Sequence, residues 1–105
     1  MVGETSVREL QQRLSSPAPP LVLDVREGWE RDIAALAGTL DIPMGEVPQR
    51  LAELPKEREI IVMCRSGGRS LKVAQYLDGL GYRVSNLTGG ILAWAQDVDP
   101  SLKSY

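Results

Sequence analysis

The segment that decides the fold reads Ile60-Ile61-Val62-Met63-Cys64-Arg65-Ser66-Gly67-Gly68-Arg69-Ser70. Its first four residues are apolar, and so short a run predicts a strand that is buried on both faces, as strands are in a parallel sheet. Cys64 follows directly, then a loop with two glycines and two arginines, and a helix is expected to begin at about Ser70. The segment therefore predicts a strand–loop–helix unit of an α/β fold, with a cysteine at the carboxyl end of the strand.

On either side of this segment, apolar runs alternate with amphipathic stretches. The predicted order is a helix capped by Ser6 and Glu9, a strand at 21–25, a weak helix at 27–36, a short strand or extended turn at 38–43, an amphipathic helix at 47–54, the strand at 60–63, a helix from Ser70 to Gly81, a strand at 83–87 and a short helix at 91–95. The polar stretch from Asp97 to Tyr105 is expected on the surface. This order predicts an α/β fold with a mainly parallel central sheet and helices on both faces, and 105 residues suit one domain spanning 1–105.

The overall composition argues against several classes of partner. The net charge is −2 and the isoelectric point is about 5.1, which gives no general attraction to nucleic acid or to an anionic membrane. No apolar run approaches the roughly 20 residues that a membrane helix needs. No secretory signal pattern opens the chain. We therefore expect a cytoplasmic protein that binds neither nucleic acid nor membrane.

Two residue counts narrow the chemistry. The chain has one cysteine, so it forms no intrachain disulfide and no cysteine metal cluster. It has no histidine, which removes Cys–His and Ser–His–Asp catalysis and histidine-ligated metals. Any nucleophile in this chain must therefore be activated by nearby cations and backbone dipoles.

Cys64 lies where a thiol is expected to ionise readily. Ligands of open parallel α/β sheets bind at the carboxyl ends of strands, and the helix after the loop presents free N–H groups there. Gly67 and Gly68 are expected to take positive φ and to let the loop curl, so that its amides point inward. Arg65 and Arg69 add two permanent charges. A buried structural thiol is the commoner fate of a lone cysteine, but these neighbours favour a reactive one.

Several motifs resemble those of the rhodanese family of sulfurtransferases. The stretch from Cys64 to Arg69, followed by Ser70, is similar to the active-site loop of that family. The other motifs are Leu23-Asp24-Val25-Arg26-Glu27 with Trp29, Gly38 with Ile42-Pro43, and Asn86-Leu87-Thr88-Gly89-Gly90-Ile91 with Ala93-Trp94. They occur in the family's order and cover about Val7 to Trp94.

By that resemblance, Cys64 accepts a sulfane sulfur, holds it as a persulfide and passes it to a nucleophilic acceptor. The resemblance implies that the loop binds substrate and stabilises the persulfide anion; its residues are Arg65, Ser66, Gly67, Gly68, Arg69 and Ser70. Asp24 and Arg26 would brace the strand ends behind the loop. Trp29 is expected in the core or in the wall of the site groove. No metal and no organic cofactor is implied.

The partners that this resemblance implies are sulfur donors and acceptors. Arg65 and Arg69 favour a small anionic donor such as thiosulfate, and a protein sulfur donor or acceptor is also compatible with the site. The stretch from Gly89 to Tyr105 resembles the end of the rhodanese domain in adenylyltransferase/sulfurtransferase proteins, which serve sulfur-carrier proteins. A small domain is compatible with a monomer.

Three other functions compete with the sulfurtransferase. A cysteine phosphatase or arsenate reductase shares the fold but needs a longer loop to wrap a tetrahedral oxyanion, whereas four residues separate Cys64 from Arg69. A docking module would use the fold without catalysis, and such relatives generally lack the cysteine. A sulfur carrier with little turnover shares the persulfide, and the sequence does not separate it from the enzyme.

Overall fold

One parallel sheet forms the centre of the molecule. The structure is a computed structural model that describes residues 2–105, so Met1 lies outside it. Within these residues the strands are β1 (Gly3–Thr5), β2 (Leu21–Asp24), β3 (Leu40–Asp41), β4 (Ile60–Met63) and β5 (Val84–Leu87). Their spatial order is β1-β5-β4-β2-β3, and every neighbouring pair is parallel. The predicted α/β fold with a mainly parallel sheet is thereby confirmed.

Helices cover both faces of this sheet. They are α1 (Val7–Leu14), α2 (Gly28–Ile33), a 3₁₀ helix (Met44–Glu53), α3 (Gly68–Gly79) and α4 (Gly90–Asp97). One apolar cluster joins the sheet to α3 and the 3₁₀ helix, and a second joins the opposite face to α1 and α4. None of the helices in the described part of the chain is both long and apolar enough to cross a membrane.

β4 is the strand that divides the core into these two clusters. Ile60 and Val62 contribute to the cluster with α3, whereas Ile61 and Met63 contribute to the cluster with α1 and α4. All four side chains are fully buried, as the continuous apolar run predicts. Burial of each such side chain stabilises the fold by about 1.5–3 kcal/mol. β4 therefore holds Cys64 on a rigid support.

Two of the helices differ from the sequence prediction in ways that affect the site or its support. The segment predicted as an amphipathic helix at 47–54 is a 3₁₀ helix with non-helical dihedral angles at Arg50. Pro48 accounts for this, because proline lacks an N–H donor and its ring clashes with the preceding turn of an α-helix. In addition, α3 begins at Gly68, two residues before the predicted Ser70.

The strand β1 was not predicted from the sequence. It has three residues, of which Gly3 and Glu4 are exposed, so no apolar pattern marks it. It forms because Gly3–Thr5 pairs with Ser85–Leu87 of β5. The helix that follows begins as predicted: Ser6 Oγ accepts a hydrogen bond of 3.1 Å from the amide of Glu9.

The start of α4 packs directly against the cysteine loop. The amide of Ile91 donates to the carbonyl of Cys64 at 2.9 Å, and the amide of Leu92 donates to that of Arg65 at 3.1 Å. This contact requires glycine at position 90, where φ is +59° and a Cβ atom would lie 2.4 Å from the carbonyl oxygen of Cys64. Two motifs far apart in sequence are thus joined by main-chain hydrogen bonds.

We predict that Gly90→Ala destabilises the protein by about 2–5 kcal/mol, because it combines a strained backbone with a collision against main-chain oxygens. Urea unfolding measures the change. Gly79→Ala is the matched control, since its Cβ meets nothing within 4 Å and its φ is not positive. We expect this control to gain about 0.4–1 kcal/mol. Equal midpoints for the two variants would contradict the role given to Gly90.

Candidate functional site

Cys64 lies at the carboxyl end of β4 and faces the start of α3, as predicted. Its side chain is buried, with 1% of its surface exposed. The amide of Gly67 donates to Sγ at 3.1 Å, and the hydroxyl oxygen of Ser70 lies 3.3 Å from Sγ. The loop therefore curls around the sulfur and directs polar hydrogens at it.

The loop lowers the pKa of the Cys64 thiol below its usual value. Burial, the largest single influence, raises the pKa, but hydrogen bonds from the Ser70 hydroxyl and from the amides of Ser70, Gly67 and Ser66 together outweigh it. This environment favours a thiolate, which is the reactive form of cysteine. The activation is local, since the chain has no histidine.

Only one of the two loop glycines has the backbone conformation that we expected. Gly67 has φ +109°, a region open to glycine, and this turn brings its amide to Sγ. Gly68 is instead the first residue of α3 and has no positive φ. The expectation for Gly68 was wrong because the helix begins earlier than the sequence pattern indicates.

Asp24 and Arg26 form a fully buried ion pair behind the loop. Arg26 Nη2 lies 2.8 Å from Asp24 Oδ2, and Nε donates to Oδ1 at 3.0 Å. The guanidinium also donates to the carbonyl of Ala34 at 2.8 Å and to the hydroxyl of Tyr105 at 2.9 Å. Both side chains of the pair are 0% exposed. The pair therefore links the end of β2 to the residues after α2 and to the tail.

Arg69 is paired with a carboxylate that the sequence reasoning missed. Its Nη1 and Nη2 each donate to one oxygen of Glu30 at 2.7 Å. Hydrogen bonds from Arg69 hold the pKa of Glu30 at about 2, against burial, which raises it. Glu30 thus stays ionised and offsets the charge of Arg69. The sequence did carry a signal for the position of Glu30, which follows Glu27 by three residues, the spacing of a capping box. At the start of α2 the amide of Glu27 donates to the Glu30 side chain at 2.9 Å.

Arg65 is held by the carboxyl-terminal tail, which lies on the surface as expected but contacts the site through Tyr105. Its Nε donates to the main-chain oxygen of Tyr105 at 2.7 Å, and its guanidinium lies 5.1 Å from the centre of the Tyr105 ring. The Tyr105 hydroxyl in turn donates to Glu30 at 3.0 Å. Trp29 meets the Tyr105 ring edge-on at 6.2 Å and is 61% exposed. Trp29 is therefore outside the core, at the rim beside the tail.

The sequence-predicted residues are thus brought together, but the two arginines differ from expectation. Both were expected as cations available to a donor, and each is engaged by a partner from outside the loop. Ser66 is exposed, whereas Ser70 is fully buried beside Cys64. Among the described residues no group of three or more His, Cys, Asp or Glu side chains could hold a metal ion.

We predict that Asp24→Ala destabilises the protein by about 3–5 kcal/mol, because it leaves the buried charge of Arg26 without its partner. Chemical unfolding measures the loss. Glu53→Ala serves as the control, since it breaks the exposed pair with Arg50, and exposed pairs contribute little. A loss as small as that of the control would show that the pair does not brace the fold.

Comparisons with known proteins agree with this architecture. A family model described as "Rhodanese-like domain" matches residues 6–97. A protein named "Sulfurtransferase" from Allochromatium vinosum is 41% identical over 97 residues, which cover 91% of each chain. The crystal structure of a rhodanese-like domain protein from Staphylococcus aureus superposes with a TM-score of 0.87 at 29% identity and covers 99% of each chain.

A further relative is similar to this chain over part of its own length. The adenylyltransferase and sulfurtransferase MOCS3-2 of Zea mays is 32% identical over 106 residues, which cover 93% of this chain and 22% of that protein. The predicted resemblance to the rhodanese domain of such proteins is confirmed, and it extends well beyond the carboxyl-terminal stretch.

Proposed function

The chain belongs to the family of rhodanese-like domains, and from this premise we propose that it transfers a sulfane sulfur through a persulfide on Cys64. A sulfurtransferase or sulfur-carrier role fits its relatives. The observation that carries the persulfide is the curled loop, in which the amide of Gly67 points at a buried Sγ 3.1 Å away. Such a loop stabilises negative charge on sulfur without a metal.

The proposed reaction has two displacements. In the first, the Cys64 thiolate attacks the outer sulfur of thiosulfate. A new S–S bond forms, the S–S bond of thiosulfate breaks, and sulfite leaves with the electron pair. In the second, a nucleophile such as cyanide attacks the outer sulfur of the persulfide and restores the thiolate. No external oxidant or reductant is required, since the sulfane sulfur passes intact from donor to acceptor.

The loop residues take supporting roles in this proposal. The amides from Arg65 to Ser70 surround the reacting sulfur atoms and stabilise the persulfide anion. Ser66, Gly67 and Gly68 are small residues of the loop, and in this proposal the outer sulfur atom of the persulfide lies beside them. Asp24 and Arg26 contribute indirectly, because they fix the elements behind the loop.

We predict that incubation with thiosulfate adds one sulfur atom to the intact mass, and that cyanide removes it as thiocyanate. Cys64→Ala should show neither change, because Cys64 is the only cysteine. Intact-mass spectrometry and a thiocyanate assay provide the two readouts. If neither thiosulfate nor inorganic polysulfide nor a cysteine desulfurase loads the protein, the docking module becomes the better proposal.

The choice of donor depends on the charge around Arg69. We propose thiosulfate as a donor because Arg69 interacts electrostatically with Cys64, yet the Glu30 carboxylate offsets its charge. Arg69→Ala should therefore raise the apparent KM for thiosulfate. Glu30→Gln should lower it by about two- to fivefold, since the compensating charge is removed at short range.

Steady-state kinetics with thiosulfate and cyanide test this pair of variants. Asp32→Asn is the control for Glu30→Gln, because it changes the net charge by the same amount at an exposed position of α2. The same KM in both variants would mean that general charge, and not Glu30, governs the donor. An unchanged KM in Arg69→Ala would remove Arg69 from the donor site.

A protein acceptor is the second candidate, and the similarity to MOCS3-2 of Zea mays favours it. Under this alternative the persulfide on Cys64 is delivered to a partner protein, with little turnover of small acceptors. The phosphatase and arsenate reductase alternatives are less well supported, because the relatives carry sulfurtransferase names and the loop is short. Hydrolysis of a phosphate ester well above the rate of Cys64→Ser would reverse that preference.

A further inference from the structure

The hydroxyl of Ser70 lies between two groups that both accept its single hydrogen. Its oxygen is 3.3 Å from Cys64 Sγ and 2.5 Å from Asn86 Oδ1. Ser70 is fully buried and Asn86 is 3% exposed. A hydroxyl has one hydrogen to donate, so it serves either the sulfur or the amide oxygen at any moment.

The orientation of the Asn86 amide is fixed by groups that accept and do not donate. Nδ2 donates to the main-chain carbonyl of Gly67 at 3.1 Å and to the carboxylate oxygens of Glu4 at 3.3 Å. Rotation of the amide by 180° would bring its oxygen against these oxygens, which is repulsive. Oδ1 therefore faces Ser70.

The shorter contact and the stronger acceptor both favour the amide oxygen, since sulfur in a thiol is a weak acceptor. We propose that Asn86 is a positioning residue that competes with Cys64 for the hydroxyl hydrogen of Ser70. In the thiol form the hydrogen bonds run from the Cys64 S–H to Ser70 and from Ser70 to Asn86. When the thiol ionises, the Ser70 hydrogen turns from Oδ1 to the thiolate, which is the stronger acceptor of the two.

This arrangement restrains the nucleophile of the resting protein. Asn86 stabilises the thiol form, because ionisation costs the hydrogen bond between Ser70 and Oδ1, and it thereby reduces the support that the Ser70 hydroxyl gives to the thiolate. The thiolate is the nucleophile in loading and the leaving group in discharge, so this restraint acts on both steps. That consequence for sulfur transfer rests on the proposed function, whereas the hydrogen-bond arrangement does not.

The charged and titratable side chains around this cluster come from several elements. They are Glu4 on β1, Arg26 after β2, Glu30 on α2, Arg65 in the loop, Arg69 on α3 and Tyr105 in the tail. Of these, Glu4 alone contacts Asn86 among the described side chains, and Arg69 interacts electrostatically with Cys64. A test of Asn86 must therefore separate its hydrogen bond from the charge of Glu4.

The test is the pH dependence of alkylation by iodoacetamide, which reports a single thiol because Cys64 is the only cysteine. Asn86→Leu has a similar size and no acceptor, so Ser70 becomes free to donate to the thiolate. We expect the apparent pKa of Cys64 to fall by about one unit, which gives about tenfold more thiolate at a pH below both values. Ser70→Ala should raise it, because the thiolate loses a donor, and Asn86→Leu should have no further effect in that background.

The Ser70→Ala background decides whether Asn86 acts through Ser70. If Asn86→Leu shifts the pKa of Cys64 equally with and without the Ser70 hydroxyl, or if Ser70→Ala does not raise that pKa, the proposal is wrong. Should Asn86→Leu not fold, as circular dichroism would reveal, Ser70→Ala still tests the donation to the thiolate that the proposal requires. Glu4→Gln keeps the acceptor and removes the charge, so we expect less than about 0.3 units of change. A shift equal to that of Asn86→Leu would assign the effect to Glu4 and overturn the proposal.

Sulfur transfer supplies a second readout. Asn86→Leu should load from thiosulfate up to about tenfold faster at a pH below the thiol pKa, and it should not slow discharge to cyanide, because a lower pKa makes Cys64 a better leaving group. Loading no faster than in the wild-type protein would count against the proposal. If no donor loads even the wild-type protein, the proposed function fails, while the alkylation result still decides the role of Asn86.

Discussion

The buried ion pair of Asp24 and Arg26 is the interaction on which the rest of the site depends. Removing two charges from water is costly, and such a pair persists only where every remaining hydrogen-bond group finds a partner. Arg26 meets this condition through the carbonyl of Ala34 and the hydroxyl of Tyr105, besides Asp24 itself. The pair thereby fixes the end of α2 and the position of the tail. Because Glu30 belongs to α2, the same constraint places the carboxylate that holds Arg69.

Opposing electrostatic effects act on the sulfur atom of Cys64. Burial of Cys64 disfavours the thiolate, whereas the Gly67 amide and its neighbours favour it and prevail. The Ser70 hydroxyl can act in either direction, depending on where its hydrogen points. A rigid loop sets the first two contributions, because main-chain hydrogen bonds from α4 hold the carbonyls of Cys64 and Arg65. The third depends on a hydrogen that rotates, and it is therefore the contribution that a neighbouring residue can control.

The sequence predicts the features that depend on residues close together in the chain, and it misses those that depend on residues far apart. β4, its loop and α3 were predicted because their signals are local: an apolar run, two glycines and helical periodicity. The contacts of Arg65 and Arg69 were missed, since Tyr105 and Glu30 lie 40 and 39 residues away in the chain. The three-residue β1 was missed for a similar reason, because its pairing with β5 and not its composition makes it a strand.

The partners of the two arginines change how the loop can recognise a donor. A free guanidinium attracts any anion, whereas one held by two hydrogen bonds to Glu30 has a fixed position and a largely compensated charge. The Nε of Arg65 already donates to the main-chain oxygen of Tyr105 in the tail. The amides of Ser66, Gly67 and Ser70, by contrast, lower the pKa of Cys64 by hydrogen bonding to its sulfur. Selectivity for a sulfur donor must therefore come from the inward-facing amides and the size of the loop together with the partly compensated charge of Arg69, whereas Arg65 holds the loop against the tail.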